Sequence, residues 1–162
     1  DDVESRGLGD VYKRQAYNRI AYNEWIRPAF LDYSRQGIIC ALVFLDADNF
    51  KRLNDTFGHE YGDKVLQRIV AVLKEQCPEG GYVCRYGGDE FITFFPHATP
   101  ANTNEYVQKV QELLGKERIE VSMGTKLTQP GDGESLDDYL ALADERMYQQ
   151  KQQRKEQSHD AQ

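Results

Sequence analysis

The chain has 162 residues, 40% of them hydrophobic and 29% charged, with a formal net charge of −7. That is enough for one domain with its own core, and the acidic balance excludes general nucleic-acid binding, which depends on Lys and Arg neutralising phosphates. No apolar run approaches the ~18 residues of a membrane span, so no membrane contact and a cytoplasmic location are expected.

Residues 1–15 lack a sustained apolar period and read as a linker or a non-native N-terminal segment, outside the fold. The domain proper is expected over 16–155, with a frayed C-terminal tail over 156–162. In 16–34, Tyr17, Ile20, Ala21, Trp25 and Ile26 follow helical spacing, and Pro28 is expected to kink or break the helix. Residues 38–45 are apolar throughout and predict a first strand, to Asp46, buried on both faces. A short helix over 50–56 leads to a long one over 62–75, with Val65, Leu66, Ile69, Val70 and Leu73 as its core stripe. Two aromatic and β-branched runs, 82–86 and 91–95, predict strands 2 and 3. A helix over 102–114 is expected to bury Tyr106, Val107, Val110, Leu113 and Leu114. Strand 4 is expected over 118–122, a Gly/Asp loop over 129–134, and a last helix over 136–154. Cys40, Cys77 and Cys84 form no C-x-x-C pair, which favours reduced thiols over a disulfide framework or a zinc site.

The order β-α-β-β-α-β predicts an α+β fold, ferredoxin-like or palm-like: an antiparallel-containing sheet flanked by helices. Right-handed crossovers place strands 1 and 2 parallel with strand 3 antiparallel between them. Asp46, at the end of strand 1, should then meet Asp89 and Glu90 at the 2–3 hairpin. The Gly87-Gly88 pair reads as a tight turn in which the glycines take positive φ and leave a ligand room to approach. Alone, that hairpin is a solvated surface turn; the second acidic motif after strand 1 argues otherwise. Asp48 either caps the short helix or joins a metal site, and the sequence leaves the two even.

Crowded carboxylates repel one another unless a cation neutralises them. With oxygen ligands alone, Mg²⁺ or Mn²⁺ is the expected ion, and two such ions on a palm-like sheet suit nucleotidyl transfer. Met147, Lys151 and Lys155 recur at i, i+4 and i+8, so both lysines are expected to extend the buried face of the last helix and hold phosphates. The competing account is a solvated helix end favoured by the helix dipole.

The run Arg-Tyr-Gly-Gly-Asp-Glu-Phe at 85–91 and the run from Asp46 through Lys51, Asn54, Gly58-His59 and Gly62-Asp63 together resemble the GGDEF family of diguanylate cyclases. The likeness extends through Ser122, Gly124, Ala143-Asp144, Met147-Tyr148 and Lys151. It implies condensation of two GTP into cyclic di-GMP and two pyrophosphates, across a homodimer whose two sites face each other. It also implies metal binding by Asp46, the Ala47 carbonyl and Asp89, with Glu90 as the catalytic carboxylate, either helping hold the second metal or accepting the 3′-hydroxyl proton, and Lys51 stabilising phosphate charge. Asn54 and Asp63 match the guanine-binding pair, with His59 either beside them or packed beneath the loop. Gly88, Lys151 and Lys155 fall on the substrate side.

Three departures accompany the likeness. Pro78-Glu79-Gly80-Gly81 carries neither the Arg nor the Asp of the family's R-x-x-D inhibitory site. Lys155 stands where the family has Arg, keeping charge but losing bidentate geometry. The usual entry segment survives only in part over residues 8–14, so an upstream sensory or dimerising domain is expected to be missing. A catalytically weak, GTP-binding regulatory module is the alternative, and the intact Gly-Gly-Asp-Glu-Phe turn ranks it second.

Overall fold

The structure is a computed structural model and describes residues 19–160, with side chains through residue 157. Residues 16–18 of the expected first helix lie outside the described residues, as do the segment 1–15 and the end of the tail. The leading helix passes through a π-turn at Tyr22–Ile26 into α1, Arg27–Arg35. Pro28 does not break it. The Arg27 N–H donates to the Tyr22 carbonyl five residues back, and Pro28, which has no N–H, sits in the first turn of α1. The π-turn also shifts the helical period. Tyr22, Ile26 and Phe30 are buried, whereas Ile20 and Trp25 remain 47% and 51% exposed, so two of the expected face residues point outward.

The remaining elements are β1 (Cys40–Ala47), α2 (Phe50–Phe57), α3 (His59–Gln76), β2 (Tyr82–Arg85), β3 (Glu90–Pro96), α4 (Pro100–Lys116), β4 (Val121–Leu127) and α5 (Leu136–Asp160). The sheet order is β2-β3-β1-β4 with every neighbouring pair antiparallel. Strands β1 and β2 are therefore parallel to each other with β3 between them, as the connection rules require. One face of β1 (Ala41, Val43, Leu45) packs with α3 and α4; the other (Cys40, Leu42, Phe44) packs with the leading helix and α5. The fold is α+β, with helices on both faces of one open sheet.

Strand β4 begins three residues later than expected and runs five further. The segment just after α4 is used to close that helix: Arg118 takes φ 62° and the Ile119 N–H returns to the Leu114 carbonyl. This is a helix-ending turn of the kind normally built on glycine, and an arginine gave no sign of it. Further along β4, Gly124 lies under α5. A Cβ there would stand 2.1 Å from the Ala143 carbonyl oxygen and 2.2 Å from the Met147 nitrogen. Only a hydrogen lets the helix settle this close. Helix α5 continues through Asp160, past the point where a frayed tail is expected.

Asp137, in the first turn of α5, accepts from Tyr22 Oη and Arg27 Nη2, both at 2.8 Å. Tyr22 also packs edge-on against Tyr86 at 5.5 Å, and Arg19 lies over the Tyr86 ring. The leading helix is thus tied both to the head of α5 and to the residue preceding Gly87. Among the described residues no helix is long and apolar enough to cross a membrane.

Candidate active site

Strand register assembles the acids. Asp46 faces Glu90 across β1–β3 and Ser122 across β1–β4, while the Ala47 N–H donates to the Asp89 carbonyl at 3.1 Å. Three carboxylates from two distant stretches therefore meet at one sheet edge. Asp46 Oδ2 accepts from Lys151 Nζ at 2.7 Å; its Oδ1 is buried with no hydrogen-bond partner. Burial first, and then the adjacent Asp46 carboxylate, push the Asp89 carboxyl up to about 6. Glu90 is raised by burial and then by the charges of Asp46, Asp89 and Asp144. Asp144, on α5, is itself raised by burial and by Asp46, so it is a fourth member of the group. For Lys151, burial favours the neutral form, but the bond to Asp46 and the charges of Asp46, Asp48 and Asp89 outweigh it, and its pKa rises. The electrostatics are those of an acid cluster short of positive charge.

Among the described residues no three His, Cys, Asp or Glu side chains already converge as a closed ligand set. A cation held here would therefore draw on backbone oxygen as well as carboxylates, and the Ala47 carbonyl lies within the same strand end. The all-oxygen donors and the unpartnered Asp46 Oδ1 fit a hard divalent ion.

The hairpin differs from expectation. Four residues, 86–89, connect β2 and β3, and neither Gly87 nor Gly88 has positive φ. Tyr86 and Gly87 both donate their N–H to the Glu90 carbonyl, and Arg85 Nε reaches the carbonyls of Gly87 and Gly88. Glycine matters at 87 for space: a Cβ would lie 2.3 Å from Glu90 Oε1. At 88 a Cβ would meet nothing within 4 Å, which leaves that face of the turn open.

Asp48 caps nothing. Asn49 (φ 56°) is the N-cap residue of α2, and no side chain caps that helix. Asp48 instead accepts from Ser122 Oγ at 2.7 Å and Arg154 Nη1 at 3.0 Å, with Lys151 Nζ at 4.0 Å. It already holds cations supplied by the protein. Lys155, expected beside Lys151, is exposed, because at this point of α5 the residue turned inward is Arg154. The i, i+4, i+8 series through Met147 passes over Arg154, whose sequence signal is its i+3 spacing from Lys151.

The remaining expected residues cluster on α2 and α3. Lys51 and Asp63 are exposed, and His59 is exposed at the head of α3 rather than packed beneath the loop. Asn54 is half-buried, and its Oδ1 is enclosed without a partner. Phe50 and Leu53, on the same helix, line a cleft of about 110 Å³ together with Ala47, Asp48 and Val65. A larger groove, about 390 Å³, lies beyond Arg154 and is lined by none of the four clustered acids.

The family model described as "Diguanylate cyclase, GGDEF domain" matches residues 15–157, and the chain belongs to the GGDEF domain family. Diguanylate cyclase VdcA of Vibrio cholerae is 31% identical over 154 residues, covering 89% of this chain and 43% of that protein. The probable diguanylate cyclase DgcI of Escherichia coli is 35% identical over 113 residues, 68% of this chain and 25% of the relative. The chain thus spans less than half the length of these relatives. Among solved structures, the GGDEF domain of DgcB from Caulobacter crescentus in complex with c-di-GMP superposes with TM-score 0.76 at 27% identity, covering 83% of this chain and 84% of that one. The GGDEF domain of YfiN from Pseudomonas aeruginosa gives TM-score 0.75 at 28% identity over 83% and 84% of the two chains.

Proposed function

We propose that this domain is a diguanylate cyclase, joining two GTP into cyclic di-GMP with release of two pyrophosphates. The observation that carries the reading is the meeting of Asp46, Asp89 and Glu90 at one strand edge, with a buried carboxylate oxygen lacking any donor. Asp46, the Ala47 carbonyl, Asp89 and Glu90 would hold Mg²⁺ or Mn²⁺. When bound, such ions would lower the pKa of the attacking 3′-hydroxyl and neutralise charge on the phosphates.

The protein's own groups supply the rest. Glu90, raised by burial and then by its acidic neighbours, either helps hold the second ion or accepts the 3′-hydroxyl proton. Lys51 and Lys151 balance phosphate charge, with Lys155 a weaker contributor from its exposed position. Gly88 leaves space for the nucleotide. Asp63 accepts from guanine N1–H and the 2-amino group, Asn54 completes the base contact with His59 nearby, and adenine offers no matching donor pair.

One protomer holds one GTP, so two copies must face each other for each 3′-hydroxyl to reach the other's α-phosphate. An upstream sensory or dimerising segment would promote that pairing. The reading is tested by incubating the full chain with GTP and Mg²⁺ and separating the nucleotides by chromatography. Cyclic di-GMP should appear at a rate rising faster than linearly with enzyme concentration while the protein is mostly monomeric. Binding of GTP with no product at high protein concentration would favour the alternative, a regulatory GTP-binding module. Exposed Lys155 and the commitment of Arg154 to Asp48 are the observations on that side.

A further inference from the structure

Gly62 is buried in the first turns of α3, where its backbone is ordinary helix and glycine is a poorer helix former than alanine. No turn or positive φ calls for it. The space beside it is the reason: a Cβ at residue 62 would lie 1.8 Å from Asn54 Oδ1, 2.9 Å from Asn54 Cγ and 3.2 Å from Phe50 Cζ. Asn54 Oδ1 is pressed into the notch that the missing side chain leaves, and it finds no hydrogen-bond donor there. A buried acceptor without a donor is unfavourable, so the amide is held by packing rather than by its own bonding.

We infer that Gly62 is a positioning residue for nucleobase recognition, fixing which end of the Asn54 amide faces the ligand. This rests on the reading that Asn54 contacts guanine. With Oδ1 turned into α3, the outward end of the amide is its Nδ2 donor; Asp63, the residue after Gly62 on α3, carries a carboxylate that can only accept. Donor and acceptor together match guanine, whose ring edge carries an acceptor beside the N1–H and 2-amino donors. Any side chain at 62 expels Oδ1, the amide swings out, and that pairing is lost although both recognition residues remain. Glycine at this helical position gives Asn54 the space it occupies.

The test uses the full chain in four forms: unchanged, Gly62→Ala, Asn54→Ala and the double variant. Binding of a non-hydrolysable GTP analogue and its ATP counterpart is measured by calorimetry with Mg²⁺. Gly62→Ala should weaken GTP-analogue binding about tenfold or more, leave the weak ATP-analogue affinity unchanged, and add nothing in the Asn54→Ala background. Circular dichroism should show the helix content retained. Wild-type-like GTP affinity in Gly62→Ala, or an additive loss in the double variant, overturns the inference. If the unchanged protein binds no GTP analogue, the functional reading fails but this one is still decided. The Asn54 side-chain NH₂ signals in ¹⁵N spectra of nucleotide-free protein must then shift in Gly62→Ala as the amide leaves its notch, and unmoved signals reject the inference.

Discussion

Lys151 Nζ stands 2.7 Å from Asp46 Oδ2, a pair that fastens the last helix to the end of the central strand. Both side chains are mostly buried, and Lys151 also lies 4.0 Å from Asp48. Removing one member of such a pair leaves a charge uncompensated. Lys151→Met should cut cyclic di-GMP formation at least about tenfold. Lys155→Met, altering an exposed residue, should change it by less than about threefold. Steady-state rates of the two variants, measured side by side, check the assignment. An equal loss in both would return Lys155 to the site.

Asp89 presents an opposition between stability and activity. Burial and the neighbouring Asp46 charge both disfavour its carboxylate, so Asp89→Asn relieves repulsion. Thermal melts without divalent ion should place this variant at or above the wild-type midpoint. Turnover should nevertheless fall at least about a hundredfold, because a ligand has been lost. A variant both unstable and inactive would mean that Asp89 serves the fold instead.

The same residue sets a pH dependence. The Asp89 carboxyl is raised from its ordinary 3.8 to about 6 in the folded protein. Between those values the folded state holds a proton that the unfolded chain has released, so rising pH favours unfolding. The contribution is complete below about pH 4 and is lost as pH passes about 6. A divalent ion favours the charged form and reverses this. The gain in melting temperature from millimolar Mg²⁺ should therefore be small near about pH 5 and grow through about pH 6. A gain independent of pH would remove Asp89 from the ion site.

Glycines 124 and 88 make a contrast that backbone angles alone would miss. Gly124→Ala drives a methyl into the α5 backbone and should cost about 3 kcal/mol or more, read as a lowered denaturant midpoint. Gly88→Ala meets open space and has no positive φ to oppose it, so its stability should stay within about 0.5 kcal/mol of wild type. Its effect, if Gly88 leaves room for nucleotide, should appear in the KM for GTP alone.

The sheet was readable from the chain because β1 is apolar on both faces from Cys40 through Leu45, and because connection rules leave few arrangements for β-α-β-β-α-β. The convergence of Asp46 with Glu90 follows from that order, and the register realises it directly. Other features had no local signature. Arg118 closes α4 in a left-handed conformation that sequence assigns to glycine, which displaced the expected fourth strand. The hairpin glycines were expected for their angles, but at Gly87 what matters is space for Glu90. Lys155 fitted an i+4 series as well as Lys151; only the three-dimensional path of α5 shows Arg154 turned toward Asp48 instead. Periodicity identifies a helix face but does not say where along the helix that face stops touching the protein.

Tyr22 touches Tyr86, one residue ahead of the glycine pair, and also Asp137, at the head of the helix that carries Lys151. Turning the leading helix about its own axis would therefore pull at once on the residue that enters the hairpin turn and on the head of α5.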